Sequence, residues 1–367
     1  MKFFKFCIIL TLLINYKIYS QVTQQIKTPD NKEFRMVYIQ ALQGDCKKAI
    51  ETAEGFADST LSEEQITLKK KFISRFKSND DTYIYNTKNA AILNLIEIYK
   101  PYWRSILLKE MDTESAENVL RTNVTEYLYT NHFAKENIEK QKVYDDFTDY
   151  VQTFLKAHGC NAATGKTAGL YDLLLWQSEN HKEYSTKLPE TDVTVNIVFM
   201  NDVVTMGWED YATLGKYYPG GWATDKELFC VGSAYDTTSE NFKVSYLQHE
   251  GQHFADYKVF PKLSGCDLEY RAKLVELTYA DVSLYNLISF FIKNSNYDKN
   301  NPHSYAAFCM MRDMSKKIFN ENETITDNER WKEIPKEKIN AAAKELLFEH
   351  TKNLHSAGAE TVTEYIK

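Results

Sequence analysis

Between residues 31 and 156, apolar positions recur at three- and four-residue spacing. The clearest stretches are Glu63 to Phe76, Ala90 to Leu108 and Glu136 to Ala157, and each predicts an amphipathic helix. Gly159 to Gly169 is small and polar and reads as a loop, and Leu170 to Trp176 reads as a further helix. The pattern changes near Pro189. Val193 to Met200 is apolar and β-branched, which predicts a strand. Gly215 to Gly221, with Pro219, predicts a turn, and Trp222 to Tyr235 alternates as one or two strands. Thr237 and Glu240 have the spacing of a reciprocal helix cap, so a helix is predicted from there to about Lys258. Pro261 and Gly265 end it. Asp267 is the expected cap of a second helix running to about Lys293, and Lys336 to His350 is helical again. The expectation is an α+β protein, mainly helical, with a small mixed sheet beside the helix after Glu240. No fixed-period repeat and no Gly/Ser/Pro-rich linker divides the chain. We separate it into residues 1–20, a helical N-terminal region 21–188 and a second domain 189–367.

Composition adds the compartment. The chain has 367 residues, 43% hydrophobic and 26% charged, an ordinary globular balance. Lys2 and Lys5 precede an apolar run from Phe6 to Ile14, long enough for a secretory signal and too short to span a bilayer. Cleavage is expected after Ser20, giving a secreted or periplasmic protein without stable membrane insertion. The net charge is −7, and without the three lysines of that segment it becomes −10. A mildly acidic chain lacking basic blocks argues against a nucleic-acid partner. Five cysteines remain: Cys46, Cys160, Cys230, Cys266 and Cys309. Their wide, irregular spacing excludes a zinc ribbon and a dense disulfide scaffold, permits one or two bridges, and leaves at least one thiol free. Ala163 to Thr167 has the ending of a phosphate-binding loop, but Cys160 stands where that loop needs glycine.

The chemistry concentrates at His249, Glu250 and His253. Two histidines four apart on a helix face the same way and can meet one ion, and neutral imidazole suits Zn²⁺. Glu250 lies about 100° further round the helix, poorly placed as a ligand and well placed to touch a metal-bound water. A catalytic zinc site needs a third protein ligand and one open position. Val259 stands where a metzincin would carry its third ligand. Two glutamates on the next helix are the other candidates, Glu269 at 16 residues after His253 and Glu276 at 23. The short turn between the helices makes them an antiparallel pair and favours Glu269. Glu276 stays open as the ligand, or as a carboxylate behind a ligand histidine, a role Asp256 also fits.

His249, Glu250, His253 and Glu269 resemble the zincin metallopeptidases in a gluzincin-like arrangement, and Gln248 to Leu277 resembles uncharacterised bacterial zinc-peptidase domains. The spacing to Glu269 departs from thermolysin-like enzymes, whose third glutamate lies further along. The resemblance implies one Zn²⁺ per chain and a peptide or protein substrate, hydrolysed with Glu250 as general base. It also implies a tyrosine or histidine that donates to the developing oxyanion, for which His303 and Tyr305 are the first candidates and Tyr235 the third. A strand within Trp222 to Tyr235 would then pair with extended substrate. The alternatives are a non-catalytic envelope or binding protein on a zincin scaffold, and a zinc amidase acting on a non-standard amide.

Overall fold

The computed structural model describes residues 35–81, 83–224 and 226–367. The signal-like segment 1–20 lies outside them. Seven helices come first: α1 (Arg35–Leu42), α2 (Cys46–Gly55), α3 (Glu63–Lys77), α4 (Ala90–Leu107), α5 (Thr113–Asn131), α6 (Lys140–Asp145) and α7 (Phe147–Ala157). The start of α3 carries a reciprocal cap, in which Ser62 Oγ accepts from the Gln65 amide and Gln65 Oε1 from the Ser62 amide. The single helix expected over Glu136 to Ala157 is instead two helices that meet at Asp146. The apolar faces of the seven bury a shared core that includes Phe72, Ile96, Tyr99, Trp103, Leu128 and Phe154.

Residues 161–187, read from sequence as a loop and a helix, are two strands. β1 (Asn161–Thr167) pairs antiparallel with β2 (Leu170–Lys187), residue for residue from Asn161 opposite Trp176 to Thr167 opposite Leu170. The turn between them is Ala168–Gly169, with φ of 47° and 85°. Positive φ at both positions matches the right-handed twist of a tight hairpin. The apolar run in β2 lacks alternation because both faces are covered. Leu173 and Leu175 enter the helical core, and Leu174 and Trp176 enter a separate aromatic cluster with Trp222 and Met200. A short unbroken apolar run does not distinguish a buried strand from a helix.

β2 pairs antiparallel with β3 (Asp192–Met206). This long hairpin serves two cores, with Leu173, Leu175 and Val204 in the first and Val193, Val195 and Ile197 in the second. The division at residues 188 and 189 falls in its turn, which Leu188 N closes on Thr191 O. After α8 (Gly207–Ala212) come β4 (Gly221–Ala223) and β5 (Leu228–Val231). The sheet order is β1-β2-β3-β5-β4, and only the β3–β5 pairing is parallel. β4 is therefore an edge strand. Ala163 to Thr167 lies within β1, so it is no phosphate-binding loop.

The rest is helical: a π-helical segment Asn241–Gln248, then α9 (His249–Val259), α10 (Gly265–Tyr279), α11 (Leu284–Asn294), α12 (Pro302–Phe319), α13 (Asn328–Lys332) and α14 (Lys336–Ala357). The fold is α+β and mainly helical with a small mixed sheet, as expected. Two cap assignments change. Glu240 does not reach back to Thr237. Its carboxylate accepts from the amides of Asp281, Val282 and Ser283, each at 3.0 Å. Those three residues interrupt the helix expected to continue to Lys293, so Glu240 stabilises the break between α10 and α11. Ser264, not Asp267, caps α10, its Oγ accepting from the Asp267 amide at 3.1 Å. The Asp267 carboxylate instead accepts from the amides of Tyr365 and Ile366 and tethers the C-terminal residues to α10. All five described cysteines are buried free thiols, so no bridge forms among the described residues. Among those residues, no helix is long and apolar enough to cross a membrane.

Candidate metal centre

α9 follows the π-helical segment without a break, and its first residue is His249. The i, i+4 spacing brings the His249 and His253 rings to 4.9 Å between centroids, nearly perpendicular. α10 packs against α9 and supplies Glu269. His253 Nε2 stands 3.3 Å from Glu269 Oε1, and His249 Nε2 stands 3.7 Å from Glu269 Oε2. The three residues are buried and offer ligand atoms that lie within 4.8 Å of one another, so they could hold a metal ion.

The donor set passes a direct test of fit. His249 Nε2, His253 Nε2 and Glu269 Oε1 are buried and make no hydrogen bond. Burying an unsatisfied polar atom costs about 1–3 kcal/mol, so three brought together favour a common partner. Zinc–ligand bonds of about 2.0–2.1 Å at tetrahedral angles separate donor atoms by roughly 3.4 Å; His253 Nε2 and Glu269 Oε1 stand 3.3 Å apart, and the ligand atoms of all three residues lie within 4.8 Å of one another.

The Glu276 carboxylate stands 2.7 Å from His249 Nδ1. Between the two glutamates the structure therefore divides the roles that the sequence left open: Glu269 faces both histidines, and Glu276 stands behind one of them. A Nδ1–H donated to Glu276 leaves the Nε2 lone pair of His249 directed at the ion position. Burial works to lower the His249 pKa, but the Glu276 charge and hydrogen bond outweigh it and hold the imidazole above its ordinary value. Replacing Glu276 by alanine is expected to weaken metal affinity about 10–100-fold, read by competition with a chromogenic chelator; an unchanged affinity would remove it from the site. Asp256 is not behind His253. It accepts from Arg271 Nε at 2.8 Å and from Gln252 Nε2 at 2.9 Å.

Glu269 also meets two cationic or ionisable groups. Its Oε2 lies 2.6 Å from Lys273 Nζ and 2.8 Å from His303 Nδ1. Burial would raise the Glu269 carboxyl, yet the neighbouring His303 and Lys273, with His253, hold it well below the usual carboxylate range. Burial pushes His303 below the ordinary imidazole value, with Glu269 opposing.

The three oxyanion candidates separate. His303, on the first turn of α12, reaches the site through Glu269. Tyr305 is buried against Tyr297 and Lys299, and none of its described contacts is with the three-residue cluster. Tyr235 follows β5 and packs on Phe242 and Tyr246. Burial first, then the charges of Cys230, Glu250 and Glu276, push its phenol well above the ordinary value. Glu250 itself is fully buried.

No family model matches the chain, and no curated protein or solved structure shows significant similarity to it. The site therefore has to be read from its own geometry. Sequence reasoning gave Lys273 and Arg271 no part in the site. Both are buried, within a run from Cys266 to Leu277 in which every residue of α10 is buried. The i, i+4 spacing of Glu269 and Lys273 was the available signal, but the same spacing marks ordinary surface pairs.

Proposed function

We propose that the protein is a zinc-dependent peptidase of gluzincin-like type that acts outside the cytoplasm. The observation that carries this reading is the buried convergence of His249 Nε2, His253 Nε2 and Glu269 Oε1, three unsatisfied donors of the kinds zinc prefers. One zinc ion per chain held there supplies a Lewis acid for the scissile carbonyl and acidifies the attacking water. The chain's residues do the rest. Glu250, one residue on from His249, accepts a proton from that water at a carboxylate oxygen as the water attacks the peptide carbon. It then returns the proton to the leaving amine nitrogen, so water is consumed and one amine and one carboxylic acid are released. Tyr235, which follows β5 and packs on Phe242 and Tyr246, is offered beside His303 as a donor to the oxyanion. β4 is the edge strand that packs on α9, which supports it as the strand that pairs with extended substrate.

Elemental analysis of the purified protein, paired with cleavage of a peptide library, tests this. About one zinc per chain is expected, with cleavage abolished by a chelator and restored by added Zn²⁺. Zinc without cleavage would favour a non-catalytic binding role or a non-standard amide substrate. Failure to take up added Zn²⁺ would overturn the metal reading.

A further inference from the structure

The two oxygens of Glu269 stand in different surroundings. Oε2 accepts from Lys273 Nζ at 2.6 Å and faces His303 Nδ1 at 2.8 Å. Oε1 is buried, makes no hydrogen bond and stands 3.3 Å from His253 Nε2. An ionised carboxylate has about four lone-pair sites, two on each oxygen. The two donors on Oε2 occupy both of its sites, and Oε1 keeps both of its own. The donors come from separate elements: Lys273 lies one helical turn beyond Glu269 on α10, and His303 opens α12. The Lys273 side chain is only 5% exposed. A charge that deeply buried is tolerated only when paired, and Glu269 is its sole described ion-pair partner.

We propose that Lys273 and His303 are positioning residues that reserve Oε2, so that Glu269 ligates the metal through Oε1 alone. The inference rests on the metal reading above. It accounts for how the centre keeps its fourth position for water. A glutamate bound through both oxygens would crowd that water as a fifth donor, whereas three single-atom donors leave it room.

Cobalt(II) loading tests the proposal without relying on catalysis. A four-coordinate Co²⁺ site lacks an inversion centre and absorbs visible light strongly, and a fifth donor weakens the bands several-fold. The parent is expected to show the strong spectrum. In Lys273→Met the freed Oε2 joins the metal, and the bands should weaken several-fold. Lys273→Arg, which keeps a cationic donor, should restore them. His303→Leu, at a position whose side chain is 23% exposed, reports on the same oxygen if the lysine variant does not fold. Lys273→Met with the parent's spectrum and chelator-competition affinity would overturn the proposal. So would a tighter-binding Lys273→Met with an unchanged spectrum, which would make the lysine a competitor of the metal. A parent that binds no Co²⁺ overturns the metal reading and this inference together. A parent that binds Co²⁺ with the strong spectrum but cleaves no peptide leaves the inference standing and removes the peptidase.

Discussion

On the proposed peptidase mechanism, replacing Glu250 by glutamine is expected to lower kcat for peptide hydrolysis by about 10²–10⁴-fold, the usual contribution of a general base, with zinc content unchanged. Glutamine keeps the shape of the side chain and loses the ability to take a proton. Glu250 lies about 100° round the helix from His249 and is not one of the three proposed ligands, so the ligand set stays intact. KM is expected to change little, because the lost interaction belongs to the transition state. The stability change should be zero or positive. A fully buried carboxylate is costly to keep ionised, and an amide of the same shape lowers that cost. Steady-state kinetics, metal analysis and thermal melting of the same sample check all three. Retained kcat in a zinc-loaded Glu250→Gln protein would remove Glu250 as the base.

The largest stability effect is expected at Arg271. Its guanidinium is 1% exposed and joins three parts of the chain. Nε meets Asp256 Oδ2 at 2.8 Å on α9, Nη2 meets Glu190 Oε2 at 3.0 Å in the β2–β3 turn, and Nη1 meets Thr351 Oγ1 at 2.7 Å on α14. The same group lies 5.2 Å from the Phe260 ring centroid. Arg271→Met removes the cation and leaves Asp256, 2% exposed, as an uncompensated buried charge. Breaking a buried pair in this way costs about 3–5 kcal/mol. A control at the exposed Arg330–Glu321 pair should cost far less, because water screens it. Urea unfolding of both variants checks the contrast. A loss at Arg271 no larger than at Arg330 would mean that the network does not hold α9, α10 and α14 together.

The centre was legible where its logic is local. His249 and His253 sit four residues apart, and helical geometry alone puts them side by side. Glu250 follows from the same geometry. Glu269 and Glu276 were both visible as carboxylates on one helix, but seven residues separate them and both point the same way. Only the packing of α10 against α9 decides that Glu269 meets the Nε2 atoms while Glu276 meets Nδ1 of His249. Tyr305 was a candidate by proximity in sequence to His303. On a helix, residues two apart face different directions, and Tyr305 turns into the core beside Tyr297.

The sequence by itself determined the helices whose apolar stripes repeat at helical period, the β-branched strand around Val193 to Met200, the mainly helical α+β class, and the histidine–glutamate–histidine set. Each rests on periods set by backbone geometry, which residues a few positions apart express without help from the rest of the chain. The tertiary structure decided what long-range contacts decide. Residues 161–176 became strands because a hairpin pairs them and two cores cover both faces of β2, which erases the alternation that would have revealed it. Glu240 left its expected cap because three amides 41 to 43 residues away offered it a better set of donors. Charge alone predicts exposure for the charged residues of α10, yet they are buried. Asp267, Glu269, Arg271, Lys273 and Glu276 each find a partner on another element or within the His249, His253 and Glu269 cluster, and that pairing is what makes burial of so many charges affordable.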